Sequence, residues 1–372
     1  MKAWPGKGSN RMQLFRYPVA MAVLALSATA AQAQVQVEMR NPSDGFTAAF
    51  EAGDLRKALP LIEPDAKACI AAAGGIAAEN EKLWPCTLLM AYYGSALAEG
   101  GRSIEAVGVS RRAVELAADF GTDSELSLVA NFFFGLTLER QGRNAEAEEP
   151  FRIALEGAEK LLADDPALAA YVARRGNNLV MIGRFAEGLV LAERAIAIAG
   201  DTVDGNFFRL TAANALIALG RLGEAEATLR TGISRLNALA GAASPEVTAL
   251  QQSLALCLEK SNRTDEAIAL WRQTLAARRA QGGPDISDSL TGLGVALIRA
   301  GDMREAETAL REALAIRLRY YGETSNLTGL AYSNLGLVLL ETGQVDEAAN
   351  MFGRAMNVLN ASGAPVLTNW SR

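Results

Sequence analysis

The residues here with the chemistry to act are carboxylates, glycines and three cysteines. Glu146, Glu148 and Glu149 crowd together as acid/base pairs do. They fall at a predicted helix start, where acids meet the positive end of the helix dipole, and that is their structural reading. Asp201-x-x-Asp204-Gly205 has the wrong spacing for a calcium loop. Gly292-x-Gly294 lies inside a predicted helix with no strand before it, so it is not a dinucleotide loop. The 372 residues include no His, the usual neutral-pH general base and the commonest metal ligand. No GxSxG, HExxH, P-loop or CxxC motif occurs. The expectation is a protein with no catalytic centre, no metal and no cofactor. Cys69, late in one predicted helix, and Cys86, at the start of the next, are the candidate pair for one disulfide, with two free thiols as the alternative. Cys257 sits on an apolar helix face and reads as a buried free thiol.

The elements that carry these residues repeat. Between Ile286 and Leu359 the chain says one thing twice: Leu293-Gly294, Gly301 and Glu305-Ala306, then Leu335-Gly336, Gly343 and Glu347-Ala348, each pair 42 residues apart. A fixed period of that size marks stacked repeats. Eight segments have Gly or Asn followed five residues later by a small residue: Gly53/Ala58, Gly101/Ala106, Gly142/Ala147, Gly183/Gly188, Gly220/Ala225, Asn262/Ala267, Gly301/Ala306 and Gly343/Ala348. After the first, the steps are 41, 41, 37, 42, 39 and 42 residues. Twelve residues upstream of each later small residue stands another: Gly94, Gly135, Gly176, Ala213, Ala255, Gly294 and Gly336.

The physical meaning is a helical hairpin. Helix A ends before the Gly or Asn, which takes the left-handed conformation, and helix B starts after it. Small residues notch both helices so that their axes approach to the short end of the roughly 8–10 Å range of helix packing. Turn and cap signals separate the hairpins, as at Asp164-Asp165-Pro166, Ser244-Pro245-Glu246 and Gly283-Pro284-Asp285. Half the residues are hydrophobic but only 6% are aromatic, a composition suited to close-packed helices. Pro60 and Pro64 are expected to interrupt helix B of the Ala58 segment, and Pro150 to kink that of the Ala147 segment.

From about Pro85 to Leu359 the pattern resembles the tetratricopeptide repeat, with Leu-Gly in helix A and Ala, an aromatic, then Ala in helix B. The long period, and the phrase Ala313-Ile-Arg-Leu-Arg-Tyr-Tyr-Gly-Glu-Thr, are similar to the kinesin-light-chain class of these repeats. HEAT or armadillo arrays, with periods of about 40–47, are the alternative, and the Leu-Gly and Glu-Ala marks argue against them. Arg175 stands where the signature has Leu. The resemblance implies an all-α, right-handed superhelical solenoid of antiparallel helix pairs. Its packing positions are Gly94, Ala106, Gly135, Ala147, Gly176, Ala225, Ala267, Gly294, Ala306, Gly336 and Ala348. It also implies a concave groove that binds peptides, in which an Asn after the helix A notch contacts the ligand backbone. Asn177 and Asn214 match that position; Arg174, Asn178 and Arg209 lie near them and make a polar, cationic patch fit for an acidic peptide or a C-terminal carboxylate. Solvated positions without a partner are the alternative. Equivalent positions elsewhere are apolar: Phe132, Leu136, Phe207, Leu210, Leu256, Val295 and Leu337, read either as partner contacts or as tight packing. Of Phe132-Phe133-Phe134, at least one ring is expected near a surface.

The first 33 residues read as an export signal. Lys2, Lys7, Arg11 and Arg16 precede the apolar run Val19–Leu26 and the A-x-A site Ala31-Gln32-Ala33, which places the mature start at Gln34; Met12 is a plausible true start. The run is too short for a span of about 20 residues; an uncleaved interfacial anchor is the alternative. Removing those four cations leaves 32 Lys and Arg against 42 Asp and Glu, a balance of −10. An acidic exported chain is a poor nucleic-acid binder. The expected layout is a signal over 1–33, a segment with a degenerate repeat over 34–84, the repeat array over 85–360 and a tail over 361–372. The expected function is an exported, periplasmic or secreted scaffold that binds protein or peptide partners as an adaptor or assembly factor, without nucleic acid or a membrane span. The alternative is a regulatory or recognition subunit of a separately encoded enzyme.

Overall fold

The computed structural model describes residues 55–73, 83–99, 102–121, 124–242 and 244–361. The expected export signal, Gly53, Gly101 and residues 362–372 lie outside them. Among the described residues the regular elements are all helical. The chain divides into two compact units, Met1–Ala215 and Leu216–Arg372.

The first unit holds α1 (Leu55–Ala73), α2 (Leu83–Glu99), α3 (Ser103–Ala118), α4 (Glu125–Arg140), α5 (Asn144–Leu161), α6 (Leu168–Met181), α7 (Phe185–Ala199) and the short α8 (Val203–Phe207). The division falls inside α9 (Arg209–Ala218). The second unit holds α10 (Leu222–Ala240), α11 (Pro245–Lys260), α12 (Thr264–Gln281), α13 (Ile286–Ala300), α14 (Met303–Tyr321), α15 (Asn326–Glu341) and α16 (Val345–Ala361). Helix A packs on helix B in α2/α3, α4/α5 and α6/α7, and again in α11/α12, α13/α14 and α15/α16. Within the second unit α11 touches α13 and α13 touches α15, so neighbouring A helices form a common face.

The turns follow the residues expected to make them. Gly142, Gly183, Gly220, Gly301 and Gly343 have positive φ, and Asn262, with φ 59°, is the one non-glycine that does so among the described residues. Asn tolerates that region because its short polar side chain bonds locally. The pairs run antiparallel: Gly135 meets Phe151 while Leu128, two turns earlier on α4, meets Gly157 later on α5. A Cβ on Gly135 would lie 2.6 Å from Cε1 of Phe151, so the notch is filled by the ring four residues into helix B's repeat mark. Leu310 fills Gly294 and Phe352 fills Gly336 in the same way. In α6/α7, where the residue four on is Ala192, the two notches face each other directly: a Cβ on Gly188 would meet the Gly176 carbonyl oxygen at 2.9 Å.

One expectation needs correction. α1 runs unbroken through Pro60 and Pro64. Both are exposed and lie four residues apart on one outward face, so the carbonyls they leave unpaired can turn to water. α5 includes Pro150, the site of its expected kink. Arg175, in place of the signature Leu, reaches Glu148 on α5 with Nη2 at 2.9 Å, while its buried Nε has no hydrogen-bond partner among the described residues.

The units are held differently. In the first, Cys69 on α1 and Cys86 on α2 are joined by a disulfide. An aromatic cluster follows: Tyr92 and Phe132 meet Phe133, and Phe132 also meets Phe151 and Tyr171, with centroids 4.7–6.1 Å apart. Of the Phe132–Phe134 run, Phe134 is the ring at intermediate exposure. In the second unit, a buried Arg317 on α14 donates to Asp288 of α13 at 3.0 Å and to the Leu327 carbonyl of α15 at 2.9 Å. One guanidinium thus ties a B helix to its own A helix and to the next. Cys257 is a buried free thiol whose Sγ donates to the Leu222 carbonyl at 3.4 Å.

Candidate binding faces

On the A helices of the first unit, the residue after each notch changes character along the chain. Leu136 is buried, whereas Asn177 and Asn214 are half-buried. Asn177 and Arg174, one turn apart on α6, converge on Glu139 at the end of α4. Asn177 Nδ2 donates to Glu139 Oε1 at 3.2 Å, and Arg174 Nη1 lies 3.4 Å from both carboxylate oxygens. The expected cationic patch is therefore partly neutralised by a carboxylate from the neighbouring A helix. Asn178 is not on this face. It is fully buried and donates to the Asn144 carbonyl at 3.0 Å, because the next position round α6 points into α5. Arg209 has a different partner, Asn206, whose Oδ1 accepts from Nε at 3.2 Å. Asn206 is itself buried and donates to Asp201 and to the Thr202 carbonyl. Asp201, unsuited to calcium by spacing, serves this turn. Phe132 and Leu136 are buried, so they are packing and not surface; Phe207 and Leu210 are half-buried.

On the second unit's A helices the position after the notch is apolar and exposed or half-buried. Leu256 is 41% exposed, and Val295 and Leu337 are half-buried. Four residues further on, at the last turns of α11 and α13, stand Lys260 and Arg299, both exposed. Glu259, beside Lys260 on α11, is buried and accepts from the Trp271 indole at 2.6 Å. Burial pushes its carboxyl above the ordinary range, opposed by the indole bond and by the charges of Arg299 and Lys260. None of the three stands out in the sequence because each is an ordinary helix-end charge; Lys260 and Arg299 share an offset of five residues from the notches Ala255 and Gly294.

The B-helix starts are occupied by ion pairs. Arg102, Arg143, Arg184, Arg221 and Arg263 each stand just before helix B and each binds the Glu three residues on, with contacts of 2.5–2.7 Å. The carboxyls of Glu146, Glu187, Glu224 and Glu266 are held below their ordinary value first by these hydrogen bonds. In the last two hairpins Asp302 and Gln344 replace the Arg. There Glu305 and Glu347 take Arg272 and Arg311 from the preceding B helix, at 2.8 Å, and Arg279 meets Glu312 at the same distance. Glu146, Glu148 and Glu149 are thus each tied to an Arg: Arg143, Arg175 and Arg152. Among the described residues no group of three His, Cys, Asp or Glu is placed to hold a metal ion, and no helix is long and apolar enough to cross a membrane.

Family models of the tetratricopeptide repeat match residues 285–361 and 207–231. Among solved structures, a Rap protein complexed with competence and sporulation factor is 12% identical, with 86% of this chain and 96% of that one aligned and a TM-score of 0.55. A tetratricopeptide repeat protein from Parabacteroides merdae ATCC 43184 is 13% identical over 79% of this chain and 96% of its own, also at 0.55. A kinesin light chain of Podosopora anserina with nearly identical repeats is 18% identical over 54% of this chain and 98% of its own, at 0.46. At these identities the likeness is one of fold. No curated protein matches the chain.

Proposed function

Since the chain is a tetratricopeptide-repeat protein, we propose that it is an exported, periplasmic scaffold that binds protein or peptide segments on its A-helix faces and performs no chemistry of its own. One observation carries the reading: in register along α11, α13 and α15, Leu256 is exposed and Val295 and Leu337 are half-buried where their neighbours in the helix are buried. An apolar strip kept in register on a rigid face is suited to a partner and costs little ordering when one docks. The polar cluster Glu139–Arg174–Asn177 offers the first unit's face a second kind of contact. The long 3.4 Å approaches of Arg174 leave its guanidinium free to exchange Glu139 for a ligand carboxylate. That a Rap protein of this fold is complexed with a second factor agrees with such a role. Export is supported by the A-x-A pattern after a basic, apolar leader and by the Cys69–Cys86 disulfide, which persists in oxidising compartments.

The test is a pull-down from the periplasmic fraction with the mature chain, repeated with Asn177→Ala, Asn214→Ala and Leu256→Asp. Partners that are lost with Leu256→Asp support the reading; an unchanged set removes the A-helix faces from it. A single co-purifying enzyme would favour the regulatory-subunit alternative. Fractionation with N-terminal sequencing should find a product starting at Gln34; a cytosolic product still carrying Met12 would refute export.

A further inference from the structure

The grooves between successive B helices of the second unit are closed in different ways. Between α12 and α14 the groove is bridged twice, by Arg272 to Glu305 and by Arg279 to Glu312, each at 2.8 Å. Beneath it on α13 lies Leu290, which is buried. Counted from the marks Ala225, Ala267 and Ala306, the groove between α10 and α12 carries other residues at these positions. Arg230, the counterpart of Arg272, turns back to Glu226 of its own helix at 2.8 Å. Asn237 stands in place of Arg279, and the half-buried Gln251 of α11 in place of Leu290. One bridge spans this groove near the starts of both helices, Arg263 to Glu226 at 2.7 Å. Further along, a cavity of about 360 Å³ opens. Ile233 of α10, Leu254 of α11 and Leu270 of α12 give it apolar walls. Ser234, Asn237 and Gln251 also line it, and their side chains bond to none of the described residues. Ile233 shows how open the groove is: its counterparts Leu275 and Leu314 are buried, whereas it is half-buried.

We propose that this cavity between α10 and α12 binds a small uncharged molecule with an aliphatic body and an amide or hydroxyl group. Its volume falls in the range of roughly 300–1,000 Å³ that small-molecule pockets occupy. The hydroxyl of Ser234 and the amides of Asn237 and Gln251 each donate and accept, so they suit a ligand group that does both. The one charged residue of the lining, Arg230, already holds Glu226. A charged ligand would therefore set an uncompensated ion against three aliphatic side chains, which is costly. Gln251 and Leu254 lie on the side of α11 turned away from Leu256, so the site is separate from the A-helix faces and goes beyond the scaffold reading.

The full chain is titrated with three probes that share a ring and differ in charge, cyclohexanecarboxamide, cyclohexanecarboxylate and cyclohexylmethylamine, and binding is read by ligand-observed NMR. The amide should bind, and the acid and the amine at least about fivefold more weakly. Ser234→Trp, at an exposed position on the cavity wall, places an indole in the space and should abolish binding. Gln251→Leu, which installs the residue of the neighbouring groove, should weaken the amide about fivefold through a lost hydrogen bond. Both variants should keep the circular dichroism of the parent, and Leu256→Asp should bind the amide as the parent does. Acid or amine bound as tightly as the amide, no binding of the amide, or unchanged binding in Ser234→Trp with Gln251→Leu would each overturn the inference. Partners recovered by pull-down should be the same with Ser234→Trp, so failure here and failure of the scaffold reading are told apart.

Discussion

The first and second units follow one repeat pattern and hold it together with different means. The first uses a disulfide between α1 and α2 and a cluster of aromatic rings. The second uses the buried Arg317, while ion pairs from one B helix to the next occur in both, as at Arg194–Glu159 and Arg311–Glu347. Their A-helix faces differ as well: a polar cluster at Glu139, Arg174 and Asn177 against an apolar row at Leu256, Val295 and Leu337. The lesson is that the notches set the hairpin, while the residues just outside them decide how hairpins are joined and what the exposed face offers.

The largest expected effects sharpen this contrast through packing. Gly135→Ala in the first unit puts a Cβ 2.6 Å from a rigid Phe151 ring; Gly294→Ala in the second meets Leu310 at a similar distance, but that side chain can turn aside. We expect the first to cost about 2–3 kcal/mol and the second about 1 kcal/mol, at the two ends of the usual overpacking range. Urea unfolding checks the order, and equal costs would break it. Gly223→Ala, with nothing within 4 Å, is the control and should stabilise slightly, as Ala does in an open helix. Reducing the Cys69–Cys86 bridge, which closes 17 residues, should cost the first unit about 3 kcal/mol. Thermal unfolding with and without reductant should shift only the first unit's transition.

A subtler contrast lies in pH. In the first unit Glu63 is held down to about 2, first by Lys67 and then by Arg102. Its folded value lies below the ordinary 4.5, so the stability it contributes is present above that value and is lost as pH falls towards 2. In the second unit Glu259 is raised by burial. Its contribution has the opposite sign: it is present in acid, below the ordinary value, and is lost as pH rises through the raised one. Glu63→Gln should flatten the acid limb of the first unit's unfolding, and Glu259→Gln the opposite limb of the second. A common pH profile in both units would contradict this assignment. The smallest effect is electrostatic. Glu305→Gln, Glu312→Gln and Glu347→Gln remove exposed pairs and should lower the second unit's unfolding midpoint only slightly, and less still in high salt.

The helical repeat was legible from particular residues. Gly142, Gly183, Gly220, Gly301 and Gly343, and the substitute Asn262, announce the turns because only a left-handed residue can end helix A and begin helix B so abruptly. The prolines misled, since the sequence does not state that Pro60 and Pro64 share an outward face. The short α8 was not legible either; Thr202 caps its start and Asn206 turns back to Asp201. On the A-helix faces, Asn177 and Arg174 lie together beside a notch, whereas Asn178, one residue on, is core. Glu139 was not legible because its contact with them is set by the neighbouring helix.

The central claim is that the A helices present the working surface. Amide hydrogen exchange on the chain bound to a partner recovered by pull-down tests it most directly. Protection should rise over residues 245–260, 286–300 and 326–341 and stay unchanged over 264–281 and 303–321. Protection confined to those last two segments would place the surface on the B helices and contradict the account.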